Sequence, residues 1–333
     1  MATNSKESPQ RSKGSWVTYR PDIKVHDCTV RDGGLINDHK FDDAFVKAVY
    51  DTCVAAGVDY MEVGYRSSRK LFAATQYGAW KFCDEDDLRR IVGDNPTGLK
   101  LSVMADAERC DYQTDIPPKD KSVIDCIRVA CYIHQIPTAL DMVKDARDKG
   151  YETTINLMAV SAVRDPDLME AIEVIAKSPT NALYIVDSFG NLYSEQVRYL
   201  TKAYLRAVEG TKIEVGIHAH NNQELAFANT IEALINGASR LDATICGLGR
   251  GAGNCPLELL VGFLHNPKFR QRPVIECVQK IFLPLRKKLD WGYSIPYMIT
   301  GQQNEHPRAA IKMRASDHPD DYVAFYDQIK EGQ

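Results

Sequence analysis

The stretch KIEVGIHAH, Lys212–His220, followed by Asn221 and Asn222, decides how this chain is read. Its short, β-branched apolar run has the character of a buried strand. It ends in two histidines one residue apart. Side chains at i and i+2 of a strand point to the same side, so His218 and His220 project together. In residues 222–235, Leu225, Ala228, Ile231 and Leu234 fall at helical spacing. Asn221 and Glu224 have capping-box spacing for that helix. The unit is therefore strand, polar turn, helix.

The same unit recurs along the chain. Strand-like runs cover residues 23–28, 59–65, 99–106, 125–132, 152–159, 182–188, 212–220 and 240–249. Helical patterns follow at 41–57, where Gly57 gives the stop, and at 84–92, 138–149, 166–177, 194–208, 222–235 and 256–264. Strands this apolar belong to a parallel sheet covered on both faces. Eight such units in about 250 residues predict an α/β fold of the (β/α)8 TIM-barrel type. An open doubly wound sheet is the rival, and eight strands would make it large. The barrel is expected over residues 21–266, after a disordered polar tail at 1–20. Residues 267–333 form a short C-terminal extension, helical at first and then irregular, with no second independent core.

Composition narrows the function. A net charge of −4 leaves no basic footprint for nucleic acid. No apolar run reaches the roughly 18 residues of a membrane span. The N-terminus lacks the apolar segment of a secretory signal. The nine cysteines are odd in number, scattered and free of C-x-x-C pairs, which points to reduced thiols in the cytoplasm rather than disulfides or a cysteine metal site.

Active sites of (β/α)8 barrels lie at the C-terminal strand ends, and polar residues gather there: HDCTVRDGG, EVGYRSS, DSFGN, HAHNN and GLGRGAGN. His218 and His220 with one carboxylate would make a two-histidine, one-carboxylate metal set. Asp32 is the best-placed partner, with Asp27 and Asp187 as competitors. Arg31, beside Asp32 and before Gly33-Gly34, would stabilise an enolate or carboxylate. The glycine-rich run Gly247–Gly253 has the position of a phosphate or carboxylate loop, but lacks a Walker or Rossmann pattern. Cys255 reads as a core thiol before a nucleophile. Tyr293 and Tyr297 read as packing residues of the extension.

With these five motifs in order, the chain resembles the HMG-CoA-lyase-like metal-dependent barrels over residues 23–298, and within them the 4-hydroxy-2-oxovalerate aldolases. By position, the resemblance implies that Asp32, His218 and His220, with Asn254 as a further ligand, hold a divalent metal: manganese, with magnesium or cobalt as options. It gives Arg31 the catalytic role of steadying the enolate. Arg31, Ser188, His218 and Tyr293 would contact the substrate. The reaction implied is reversible aldol cleavage of a 4-hydroxy-2-oxo acid through a metal-bound pyruvate enolate. The partners are then a small 2-oxo acid and an aldehyde or acyl-CoA; composition points to neither nucleic acid nor membrane, and a homodimer is the default expectation for a homo-oligomer.

One position departs from the aldolase pattern. The general-base histidine expected two residues after the glycine of Arg-Asp-Gly is Leu35, which cannot move a proton. Tyr65, His39 or a metal-bound water could serve instead. The alternatives are a Claisen-type condensation of an acyl-CoA with a 2-oxo acid, and a non-catalytic metal-binding barrel that partners a biosynthetic enzyme.

Overall fold

The computed structural model describes residues 20–332. The polar tail expected at 1–20 lies outside the described residues except for Arg20. Eight strands close into a barrel: β1 (Lys24–Asp27), β2 (Tyr60–Tyr65), β3 (Lys100–Asp106), β4 (Cys126–Cys131), β5 (Glu152–Leu157), β6 (Ala182–Asp187), β7 (Glu214–Ala219) and β8 (Arg240–Ala243). Each strand pairs in parallel with its sequence neighbour, and β8 returns to β1. The chain is therefore a (β/α)8 barrel.

Seven helices of eight or more residues follow strands. Asp43–Ala56 starts on the Asp42 side chain, which accepts the Phe45 amide at 2.8 Å, and ends at Gly57 with φ 73°. Glu85–Val92, Ile136–Asp148, Asp165–Ile175, Ser194–Ala207, Ala226–Ile235 and Leu257–Leu264 continue the pattern. Only β3 lacks a long partner; the single turn Tyr112–Asp115 follows it. Ala139, Met142, Val143 and Ala146 of the helix after β4 are buried at the i, i+3, i+4, i+7 spacing that seats one helical face on a sheet.

Three local expectations are corrected. The run 240–249 stays a strand only to Ala243. Beyond it, Thr29 Oγ accepts the Ile245 amide at 2.8 Å, Glu258 accepts the Cys246 amide at 3.0 Å, and Cys246 turns to φ 56°. Second, the Asn221–Glu224 capping box does not form. Glu224 has φ 60° and the helix begins only at Ala226, where Asn221 Oδ1 accepts the Ala226 amide at 3.1 Å. The buried face is consequently Ala226, Asn229, Thr230, Ala233 and Leu234, with Ala228 exposed.

The third correction concerns the extension. It is helical nearly to its end, through Gln271–Cys277, Ile295–Gln302, Arg308–Arg314 and Tyr322–Glu331. A small apolar cluster of Tyr297, Ile299, Ala310 and Phe325 binds it to Ala252 of the loop after β8. Trp291 Nε1 donates to the Cys246 carbonyl at 3.0 Å. The extension thus lies against the C-terminal strand ends.

Candidate active site

The barrel interior carries charge. β2 places Glu62, β4 places Arg128 and β8 places Asp242, each fully buried. Arg128 bridges the two carboxylates, reaching Glu62 Oε2 at 3.0 Å and Asp242 Oδ2 at 2.6 Å. The same Glu62 oxygen accepts Arg31 Nε at 2.7 Å. Arg31 Nη1 also lies 3.3 Å from Asp32 Oδ1. This ladder fixes the Arg31 guanidinium at the floor of the barrel mouth.

His218 and His220 stand one layer above, as the strand alternation requires. His218 Nδ1–H donates to Asp242 Oδ2 at 3.0 Å, and His220 Nδ1–H donates to the Asp187 carbonyl at 3.0 Å. Each bond fixes its ring's tautomer and leaves the Nε2 lone pair free. Both Nε2 atoms face Asp32 Oδ2, at 3.5 and 3.6 Å. Burial is the main influence on His220 and lowers its pKa to about 3, so the ring stays neutral. Burial also opposes charge on His218, but Asp242 and Asp32 raise it above the ordinary value. Burial would raise Asp32; Arg31 and the two imidazoles carry it well below the usual range.

Both Asp32 oxygens, His218 Nε2 and Asn254 Oδ1 are buried without a hydrogen-bond partner. Native structures leave few such atoms. Here they converge: Asp32, His218 and His220 each offer a ligand atom within 4.8 Å of the others. Acceptors and lone pairs that face one another need a cation, so the residues fit a divalent metal. Asn254 comes from the turn after β8, where the chain bridges to His220. A Cβ at Gly249 would lie 2.2 Å from Asn254 Nδ2 and 3.1 Å from Asp32 Oδ2. Only glycine lets that loop approach so closely. A second set of possible ligands, Cys28, His218 and Asp242, includes the Asp242 carboxylate that supports His218.

The competing carboxylates point elsewhere. Asp187 accepts the Asn191 and Leu192 amides at 3.0 and 3.3 Å, closing the turn after β6. Asp27 accepts the Thr29 hydroxyl at 2.6 Å and the Thr29 amide at 3.1 Å. Burial raises the Asp27 pKa to about 7. A raised carboxyl stabilises the fold below its unfolded pKa near 3.8, and that contribution is lost as pH rises through 7. Asp27→Asn should remove this loss. The stability difference, variant minus wild type, is expected to climb between roughly pH 4 and 7 by up to about 1.4 kcal/mol per pH unit. Urea unfolding across that range measures it, and a flat difference refutes it.

The other candidates divide. Arg31, Ser188, His218 and His220 line a cavity of about 390 Å³ at the mouth of the barrel. That volume is in the range of small-ligand sites. Ser188 Oγ accepts the Ala159 amide at 2.8 Å, which leaves its hydroxyl proton to donate. Tyr293 is exposed and is not among the lining residues. Tyr297 packs under Gly251 and Ala252. The glycine-rich run is covered by the extension, with the Gly292 amide on the Gly251 carbonyl at 3.1 Å, and it serves to place Arg250 and Asn254.

Leu35 does line the cavity, where the aldolase histidine would stand. His39 does not; it is buried edge-on to Tyr65, and burial lowers its pKa to about 3. Sequence reasoning missed Lys81, Asp106, Arg109, Arg250, His306 and Arg308 on the cavity wall. Lys81, Asp106 and Arg109 carried a usable signal, since they follow or end β2 and β3. Those from the extension carried none, because only the tertiary packing brings them to the mouth.

Cys255 is fully buried, and burial pushes its thiol up to about 12. A thiol so held is inert. Eight of the nine cysteines are buried and only Cys246 is partly open. Native protein should react quickly with dithionitrobenzoate at one thiol at most, and at nine once unfolded. Two or more fast native equivalents would contradict the burial.

A closed (β/α)8 barrel with an imidazole–carboxylate cluster at its C-terminal mouth defines the class. The chain belongs to the HMGL-like family, whose model matches residues 22–276. It is 32% identical over 256 residues to an oxaloacetate decarboxylase of Mycobacterium tuberculosis, covering 75% of this chain and 72% of that one. It is 30% identical over 278 residues to a 4-hydroxy-2-oxovalerate aldolase of Thermus thermophilus, covering 81% and 78%. The N-terminal domain of a candidate aldolase from Bacteroides vulgatus superposes with a TM-score of 0.74 at 27% identity, covering 91% of this chain and 100% of that one. A hydroxymethylglutaryl-CoA lyase from Pseudomonas aeruginosa shares the fold, with a TM-score of 0.62 at 18% identity over 79% and 93% of the chains. The relatives are lyases and aldolases, so the chain is an enzyme of that family. Among the described residues no helix is long and apolar enough to cross a membrane.

Proposed function

We propose that this protein is a metal-dependent carbon–carbon lyase that releases pyruvate from a 4-hydroxy-2-oxo acid, and that the ion is manganese. The observation that carries the reading is the convergence of an Asp32 carboxylate that accepts no hydrogen bond with two imidazole Nε2 atoms oriented toward it. Asp32, His218, His220 and Asn254 would hold the ion. When bound, a divalent ion supplies Lewis-acid polarisation of the 2-oxo group.

The chain's own residues do the remainder. The Arg31 guanidinium, immobilised by Glu62 and Asp32, stabilises negative charge that develops on the substrate oxygens. The C3–C4 bond breaks, its electron pair enters the enolate, and the 4-hydroxyl gives up its proton. A proton then returns to C3 to yield pyruvate. Leu35 can take no part in these transfers. Lys81 and Asp106 share the cavity wall. Burial lowers Lys81 and raises Asp106, which moves both toward neutral pH, where proton transfer is most effective. Ser188 donates to the substrate from the opposite wall.

A second reading has its own support. The 32%-identical relative is named an oxaloacetate decarboxylase. Decarboxylation of a 3-carboxy-2-oxo acid has no 4-hydroxyl proton to remove, so leucine at position 35 would cost it nothing. Manganese-loaded protein offered both substrate classes decides the matter. Pyruvate with an aldehyde supports the aldolase, and pyruvate with carbon dioxide supports the decarboxylase. Free thiol from an acyl-CoA would replace both with the condensing reaction. No turnover of any class would overturn the proposal.

A further inference from the structure

The cavity has two chemically different ends. At the inner end, the charge of Arg31 is committed to Glu62 and Asp32. At the outer end, Lys81, Arg109, Arg250 and Arg308 line the wall, and Asp106 is the one carboxylate lining it with them among the described residues. Asp106 is close enough for Lys81 and Arg109 to act on its charge, which leaves one carboxylate against four cations. They come from four separate segments: the loops after β2, β3 and β8, and the C-terminal extension.

Arginines at a rim are ordinarily solvated, and Arg109 and Arg308 are exposed. The two others are not ordinary. Lys81 is 6% exposed, and its ammonium lies 4.4 Å from the Tyr65 ring centre and 4.2 Å from that of Phe72. Aromatic faces compensate a buried ammonium only in part. Arg250 gives Nη2–H to the Ser188 carbonyl at 3.0 Å, and its Nε is buried with no partner. A buried ammonium and a half-buried guanidinium with an unpartnered Nε line one cavity with two more arginines, and Asp106 alone cannot balance four cations, which leaves a place for a negative charge.

We propose that this outer end is a second anion subsite, so that the natural substrate is a dianion. Its 2-oxo acid end meets Arg31 and the Asp32–His218–His220 cluster. Its other end carries a carboxylate or a phosphate on the fragment that leaves or joins as the aldehyde. This substrate class rests on the lyase reading above. Cations that grip a carboxylate stabilise it against conversion to neutral carbon dioxide, so the anion stays on the product. The arrangement therefore weighs against decarboxylation at this end.

The test is calorimetric binding to the full-length, manganese-loaded chain of three probes matched in backbone. They are 2-oxovalerate, 2-oxoglutarate and the phosphonate analogue of 2-oxoglutarate; oxalate reports the inner end alone. The expected result is binding of the dianions at least tenfold tighter than 2-oxovalerate. In Arg308→Ala and Arg109→Ala, both surface positions that leave the barrel intact, the preference should shrink severalfold while oxalate binding is unchanged. A tighter phosphonate assigns the subsite to phosphate, and a tighter 2-oxoglutarate assigns it to carboxylate. Equal binding of 2-oxovalerate and the dianions, with oxalate still bound, overturns the subsite and leaves the lyase reading standing. Failure of oxalate and of all three probes overturns both.

Discussion

Under the proposed lyase reading, Asp32→Ala is expected to abolish binding of a divalent metal and to lower kcat/KM on the order of a thousandfold or more, about 4 kcal/mol of transition-state stabilisation. Asp32 is the only carboxylate of the cluster, and neither of its oxygens accepts a hydrogen bond. Without it, two imidazoles and one amide oxygen remain to hold a doubly charged ion. The fold should survive, because Arg31 keeps its 2.7 Å contact to Glu62 when Asp32 is gone. Elemental analysis after dialysis gives the metal content, and circular dichroism checks the fold. His220→Ala should behave alike, since its Nδ1–H bond to the Asp187 carbonyl orients the ring and holds nothing else in place. A variant that retains stoichiometric metal and full turnover would place the chemistry elsewhere in the molecule.

The barrel was legible because parallel strands buried on both faces read as apolar runs, and eight of them could be counted. The cluster was legible for the same reason. A strand end is one residue wide, so His218-x-His220 could project only toward the mouth. The charge ladder beneath was not read, although its signal was present. Beyond the charged first residue of each run, Glu62 in DYMEVGY, Arg128 in DCIRVACY and Asp242 in RLDATIC are the one further charge in an otherwise apolar strand. Buried charges occur paired, and two carboxylates with one arginine on alternate strands require one another. The late start of the helix after β7 had no such signal. Asn221 and Glu224 have the right spacing, but Asn221 caps Ala226 and Glu224 takes a left-handed turn instead. Of the cavity wall, His306 and Arg308 depend on how the extension folds back, and no local pattern encodes that.

The ladder is where a substitution should damage stability most. Arg128 has no exposed surface; it joins Glu62 and Asp242 and stacks 4.6 Å over the Tyr184 ring. Arg128→Met fills much of the same volume but leaves two buried carboxylates facing each other across the barrel. Glu62 retains Arg31 as a counter-ion, whereas Asp242 retains only His218 Nδ1–H. Removing one partner of a buried ion pair costs about 3–5 kcal/mol, since the other charge is stranded. Urea unfolding should show a loss of that size with an unchanged m-value. Adding Asp242→Asn removes the stranded charge while its amide oxygen can still accept from His218. The double variant should therefore recover more than half of the loss and keep His218 oriented, with metal affinity reduced by roughly 10–100-fold, as for other supports of a ligating histidine. If the damage were a packing defect, the second substitution would add its own cost to the first. Simple additivity of the two losses would show that charge is not what binds these strands together.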